Sequence, residues 1–165
     1  MLQRIESFLG FKDSLPVEGD IGKIVREQGL ARGKVLIVGI DPEEVMIQQF
    51  PGCKITVIDP GRKGLKTPGV VFKKGYFPNN YEDGKVDMVV IKHLVHFGGE
   101  DEAWNILQVA GEFSDVVCFS VPGKRGKDIN RSEKFAQLLT EQGRRVESFE
   151  LPKDHGGGKL YIVRK

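Results

Sequence analysis

The sequence predicts an α/β fold, a doubly wound and mainly parallel sheet closed by an antiparallel C-terminal strand. Three observations carry this expectation. Seven short runs rich in Val and Ile recur along the 165 residues, most of them separated by segments of helical periodicity. Three of these runs are apolar almost throughout, as strands covered on both faces are. The last two runs stand too close together for a helix between them and must pair as an antiparallel hairpin.

The elements follow in order. A helical segment over 1–33 precedes an α/β core over 34–165, with helices expected at Leu2–Leu9 and Ile21–Gly29. At this length one domain can bury a core without staples. Strands are expected at Lys34–Ile40, Lys54–Asp59, Val70–Lys74, Val86–Leu94, Asp115–Val121, Arg145–Leu151 and Lys159–Arg164. A short helix is expected at Pro42–Phe50. Another is expected at Asp101–Phe113, where Ile106, Val109, Ala110 and Phe113 share a face and acids fill the first turn. A third spans Arg131–Gln142, with Phe135, Leu138 and Leu139 inward and Gly143 as its C-cap. Strand–helix alternation implies right-handed crossovers.

Composition narrows the function classes. Hydrophobic residues make up 39% and charged residues 29%, the balance of a soluble globular chain. No apolar run approaches the ~20 residues of a membrane span. The N-terminus, MLQRIESFLGFKD, is too polar for a secretory signal, so a cytoplasmic location is expected. The two cysteines, Cys53 and Cys118, have neither metal nor disulfide spacing and read as structural thiols. A net charge of +2 does not by itself argue for nucleic acid.

The turn after the first strand reads VLIVGIDPEE. Asp41 suits an N-cap, Pro42 the first helical position and Glu44 the capping-box spacing. Such a start fills the anion-binding end of the helix with the protein's own carboxylates, which disfavours a dinucleotide pyrophosphate and hence a nicotinamide oxidoreductase. Asp59, at the end of the second strand, has two readings: a ribose acceptor at the cleft, or a former of the Asp-Pro-Gly turn. His93 and His96 follow the fourth strand at the edge where open α/β sheets bind ligands. If the strand persists they face opposite ways; if a turn begins they can converge. Either could act as a general base or simply pack against the sheet, and two histidines without a third ligand are not a metal site. His155 lies in a Gly-rich loop that reads as a mobile tip or a close backbone approach. The cations Arg62, Lys63, Lys66, Lys124, Arg125, Lys127 and Lys153 fall in loops of that same edge. They suit an anionic substrate such as RNA, a nucleotide or a phosphorylated metabolite, although no aromatics interleave with them.

Several segments carry a resemblance. VLIVG is similar to a first-motif strand and its leading glycine, ITVID to a second strand ending in an acid, and GKVDMVVIKHLVHF to a fourth-strand segment. HGGGKLYIVRK is similar to a closing hairpin. Together with five alternating strand units, they make the chain from about Gly33 onward resemble the class I S-adenosylmethionine-dependent methyltransferases. The resemblance implies a Rossmann-like seven-stranded sheet and S-adenosylmethionine as methyl donor. It implies a cofactor cleft around Gly39, Asp59, Tyr76 and Lys92, with His93 or His96 as base. The sequence departs from that pattern at defined places. Ile37 stands where the first strand carries an acid, and Asp41 and Glu43 replace two glycines. Lys74–Phe77 has no acid where the family often reads the adenine amino group, and no Asn-Pro-Pro-Tyr motif follows the fourth strand. The alternative is a non-catalytic member of this fold, serving as a binding module or subunit.

Overall fold

The computed structural model describes residues 17–41, 43–94, 98–123 and 126–165. The expected helix Leu2–Leu9 lies outside them, as do His96, Lys124 and Arg125. The strands are β1 (Lys34–Val38), β2 (Lys54–Asp59), β3 (Val71–Lys74), β4 (Met88–Ile91), β5 (Val116–Val121), β6 (Arg145–Glu150) and β7 (Lys159–Arg164). They form one sheet in the order β3-β2-β1-β4-β5-β7-β6. β1 to β5 are mutually parallel, and β7 runs antiparallel between β5 and β6. The order reverses between β1 and β4, and an open α/β sheet opens its ligand crevice at such a point.

The strand ends are trimmed by chemistry. β1 stops at Val38 because Gly39 takes φ +80, and β4 stops at Ile91 because Lys92 and His93 turn, His93 at φ +52. Residues 17–27 form helix α1, whose start precedes the expected Ile21. α2 (Val45–Gln48), α3 (Glu100–Phe113) and α4 (Gly126–Glu141) complete the helices of the described residues. α4 begins five residues before the expected Arg131 and ends as expected. Gly143 has φ +84, and the Arg144 N–H donates to the Leu139 carbonyl.

The β strands alternate their side chains between two cores. On one face Leu36, Val38, Val89 and Phe119 meet α3 and α4 through Ile106, Leu107, Phe135 and Leu139. On the other, Val35, Ile37, Val57 and Val90 meet Val17, Ile21 and Val25 of α1 and Met46 and Ile47 of α2. The connections 60–70 and 75–87 contain no helix. Among the described residues, no helix is long and apolar enough to cross a membrane.

Candidate functional site

The carboxyl edge of β1, β2 and β4 is tied together by carboxylates. Gly39 leaves β1 with its N–H donating to the Ile58 carbonyl at 3.0 Å. Asp59 then bridges two loops: Oδ2 accepts the Ile40 N–H at 3.1 Å and Oδ1 accepts the Gly61 N–H at 2.8 Å. The turn-forming reading of Asp59 is thus realised, and each carboxylate oxygen keeps a lone pair for a further donor.

Asp41 is not the helix cap that its spacing suggested. α2 begins only at Val45, its N-cap is Glu44 in the left-handed region (φ +57), and no side chain caps it. The Asp41 carboxylate is drawn away by a stronger partner, the Lys92 ammonium, with which it forms an ion pair. The cap is replaced from a distance. Glu18 of α1 accepts the Asp41 N–H at 2.7 Å and the Met46 N–H at 3.3 Å, and its carboxylate also lies 2.8 Å from Lys92 Nζ. Glu18 is fully buried and Lys92 nearly so, whereas the Asp41 side chain keeps partial exposure. Burial pushes the Glu18 carboxyl up to about 7, helped by a hydrogen bond to Asp41 and opposed by Lys92. For Asp41, burial acts upward. The hydrogen bond from Glu18 and the charge of Lys92 outweigh it and hold the group below its usual range.

Glu44 is likewise no capping-box partner of Asp41. Its carboxylate accepts the Lys66 N–H at 3.0 Å and the Thr67 N–H at 3.1 Å, and Arg62 lies 3.7 Å away. Arg62 also donates to the Asp41 carbonyl at 3.0 Å. The loop after β2 is thereby latched onto the loop after β1, and Arg62 is directed into the protein. Lys63, Lys66, Lys127 and Lys153 remain exposed on this edge.

Beyond Asp59 a cleft of about 500 Å³ opens. Its walls come from the carboxyl ends of two strands and from one helix: Pro60 after β2, Tyr76–Asn79 after β3, and Glu102, Asn105 and Ile106 from α3. Tyr76 is 62% exposed at the mouth, while Phe77 is buried beneath it. Asn80 fixes this wall, its Oδ1 accepting the Tyr76 N–H at 2.8 Å. The cleft thus takes in Tyr76 and begins at Pro60, the residue after Asp59, while Gly39 and Lys92 lie at the ends of β1 and β4. The His93 N–H donates to Ser120 Oγ at 3.0 Å, and its half-buried ring acts electrostatically on Asp41. Among the described residues, no three His, Cys, Asp or Glu side chains gather as a metal site would require.

The sequence reading missed Glu18 as part of this site. A signal existed: Glu18, Ile21 and Val25 fall on one helical face, so a carboxylate sits in an apolar stripe and needs a buried partner.

No family model and no curated protein matches the chain. Solved structures do. The magnesium protoporphyrin IX methyltransferase of Synechocystis PCC 6803, with bound S-adenosylhomocysteine, superposes with TM-score 0.68 at 13% identity, over 93% of this chain and 84% of that one. The N-methyltransferase NodS of Bradyrhizobium japonicum WM9 gives 0.64 at 14%, over 87% and 96%. An O-methyltransferase family protein of Burkholderia thailandensis gives 0.63 at 13% over 87% of this chain, which spans 55% of that protein's length. With the strand order and the antiparallel β7, these likenesses establish the fold as that of the class I S-adenosylmethionine-dependent methyltransferases.

Proposed function

We propose that this protein binds S-adenosylmethionine at the carboxyl edge of β1, β2 and β4 and transfers its methyl group to an anionic acceptor. The observation that carries the reading is the open cleft immediately beyond Asp59. Its volume lies within the about 300–1,000 Å³ of small-molecule sites, and it is bounded on the strand ends where this fold binds ligands. Pro60, Tyr76 and Ile106 offer apolar and aromatic surface to a base, and Glu102 and Asn105 offer polar atoms to its edge. Asp59 retains acceptor capacity for ribose hydroxyls.

The adjoining turn fits the other end of such a ligand. Asp41, Glu18 and Lys92 present carboxylates and an ammonium together, complementary to an amino-acid head that carries both charges. No N–H or O–H of the described residues donates to Asp41 Oδ2, although the atom is buried. Bound there, S-adenosylmethionine would supply an electrophilic methyl group for in-line displacement. The residues of the chain would position the acceptor, exclude water and, through His93 or His96, accept its proton. Lys63, Lys66 and Lys127 would favour an acceptor with negative charge, such as RNA, a nucleotide or a phosphorylated metabolite.

One observation favours a second reading, a non-catalytic module on this fold. Carboxylates and Arg62 interlock the loops after β1 and β2 where the family keeps open glycines. Thermal unfolding separates the two. S-adenosylmethionine or S-adenosylhomocysteine at a hundredfold excess over Kd should stabilise the protein by roughly 2.7 kcal/mol. NAD and NADP should do nothing. Asp59→Ala should abolish the shift. Absence of any shift at millimolar ligand selects the module, and a shift that survives Asp59→Ala moves the site elsewhere.

A further inference from the structure

We propose that Lys34, Lys54 and Lys85 form a phosphate-binding groove at the amino edge of the sheet, the edge opposite the cleft beyond Asp59. The inference is independent of the function proposed above. It starts from the fold. The connection 75–87 forms no helix, and a cavity of about 210 Å³ lies between it and the first residues of β1 and β2. Lys34 opens β1, Lys54 opens β2, and Lys85 stands just before β4. Thr56 and Val71, partners in the β2–β3 register, also line the cavity, and Tyr81 and Val86 wall it from the connection. Tyr81 is buried, and its hydroxyl donates to the Gly84 carbonyl at 2.8 Å, which fixes the loop that carries Lys85.

Lys34 and Lys54 are register partners, so they sit side by side on one face of neighbouring strands about 4.8 Å apart. Like charges so placed repel. Among the described residues, no carboxylate pairs with Lys34, Lys54 or Lys85. The acids of the connection are turned to other partners or lie outside the groove. Asp83 lines the cavity but is held by Lys73 at 3.0 Å, Asp87 accepts the Lys34 N–H at 2.7 Å, and Glu82 is not part of the lining.

A bound phosphate supplies the missing negative charge. Its oxygens accept from several donors at once, and three ammonium groups with the Thr56 hydroxyl offer them from β1, β2 and the connection. The cavity is smaller than the about 300–1,000 Å³ of drug-sized sites, so it admits a phosphate group with a small substituent rather than a whole nucleotide. Two sources share this chemistry, a small phosphomonoester and a single backbone phosphate of a nucleic acid.

The experiment is a titration of the full chain followed through its backbone amide NMR signals. The probes are inorganic phosphate, methyl phosphate and hexauridylate, each compared with sodium chloride at equal ionic strength. The expected result is saturable shifts of the amides of Lys34, Lys54, Thr56 and Lys85. The double variant Lys34→Gln with Lys54→Gln should weaken binding roughly tenfold, because charge-assisted contacts are lost. A control of equal charge, Lys23→Gln with Lys134→Gln, alters lysines that pair with Glu27 and Glu100 and should bind as the wild type does. Shifts no larger than those in sodium chloride for all three probes overturn the site, and so does an equal loss of binding in the two double variants. Tighter binding of hexauridylate than of methyl phosphate, with the same dependence on Lys34 and Lys54, supports the site and assigns its phosphate to a nucleic-acid backbone. The reverse order supports it and assigns the phosphate to a small monoester.

Discussion

Glu18 shows how a single residue can set a pH dependence of stability. Its carboxyl is raised from 4.5 to about 7, chiefly by burial. The folded chain therefore holds a proton that the unfolded chain has lost, over the window from 4.5 to about 7. Stability from this group is greatest below 4.5, falls as the pH rises through the window, and is flat above it. Asp41 acts with the opposite sign. Its lowered carboxyl contributes stability above 3.8 that is lost as the pH falls further. Between pH 5 and pH 7.5 only the Glu18 effect operates within the pair. Urea unfolding at these two pH values should show the wild type losing, through this group, on the order of 2 kcal/mol at the higher pH. Glu18→Gln should remove most of that loss, because an amide needs no proton to be neutral. The difference between the two proteins cancels groups elsewhere. Equal pH slopes would mean that Glu18 is ionised throughout.

At the scale of elements, the Gly-rich tip between β6 and β7 has acquired a definite role. Sequence reading left it either mobile or closely packed, and the structure decides for packing. A Cβ on Gly158, which sits at φ +105, would collide with the Val121 carbonyl at the exit of β5. A Cβ on Gly123 would come within 2.5 Å of the Gly158 nitrogen. The β5 exit and the hairpin tip therefore touch backbone to backbone, which only glycine allows. α1 adds a clasp, with His155 Nδ1 2.7 Å from Asp20 Oδ2. Gly158→Ala should destabilise the protein by about 1–3 kcal/mol or more, through strain and displacement of the tip. Gly52→Ala, also at positive φ but with open space around its Cβ, should cost only about 1 kcal/mol, the backbone part. Equal costs in thermal melts would refute the contact. The comparison also shows what the sequence could disclose. β2 and β7 were legible to the residue, because short apolar runs bounded by turn residues define them locally. α2 was misplaced because Asp41 had a cap pattern but also a cation 51 positions later in the chain, which no local pattern reveals. For the candidate site, the positions of Asp59 and Tyr76 after strands were legible, because both follow runs of strand character. For Glu18 only a carboxylate in an apolar stripe was legible; its partners, Asp41, Met46 and Lys92, lie 23 to 74 positions further along the chain.

For the whole molecule, connections 60–70 and 75–87 without a helix leave the sheet unevenly protected. Its centre, β1, β4 and β5, is buried on both faces, whereas β3 alternates only between exposed and half-buried positions. β3 is also an outer strand, with one row of backbone groups unpaired by the sheet. Edges of this kind pair with other chains unless charge or shape forbids it. Here Lys73 and Lys74 lie opposite Ile58 and Asp59 in the β2 register, and Lys73 is held by Asp83 at 3.0 Å. The opposite edge, β6, carries Arg145, Glu147 and Glu150. Both outer strands thus carry charge, and β6 also has α4 packed against it. Replacing Lys73 and Lys74 with valine would leave VFVV on an exposed edge, apolar and of high β-propensity. The double variant should keep its fold, because neither lysine is buried and valine suits a strand. It should lose solubility and form concentration-dependent oligomers in light scattering, where the wild type does not. A variant that stays as soluble as the wild type up to high protein concentration would show that the 60–70 and 75–87 loops already shield β3. The lysines would then be ordinary solvated side chains.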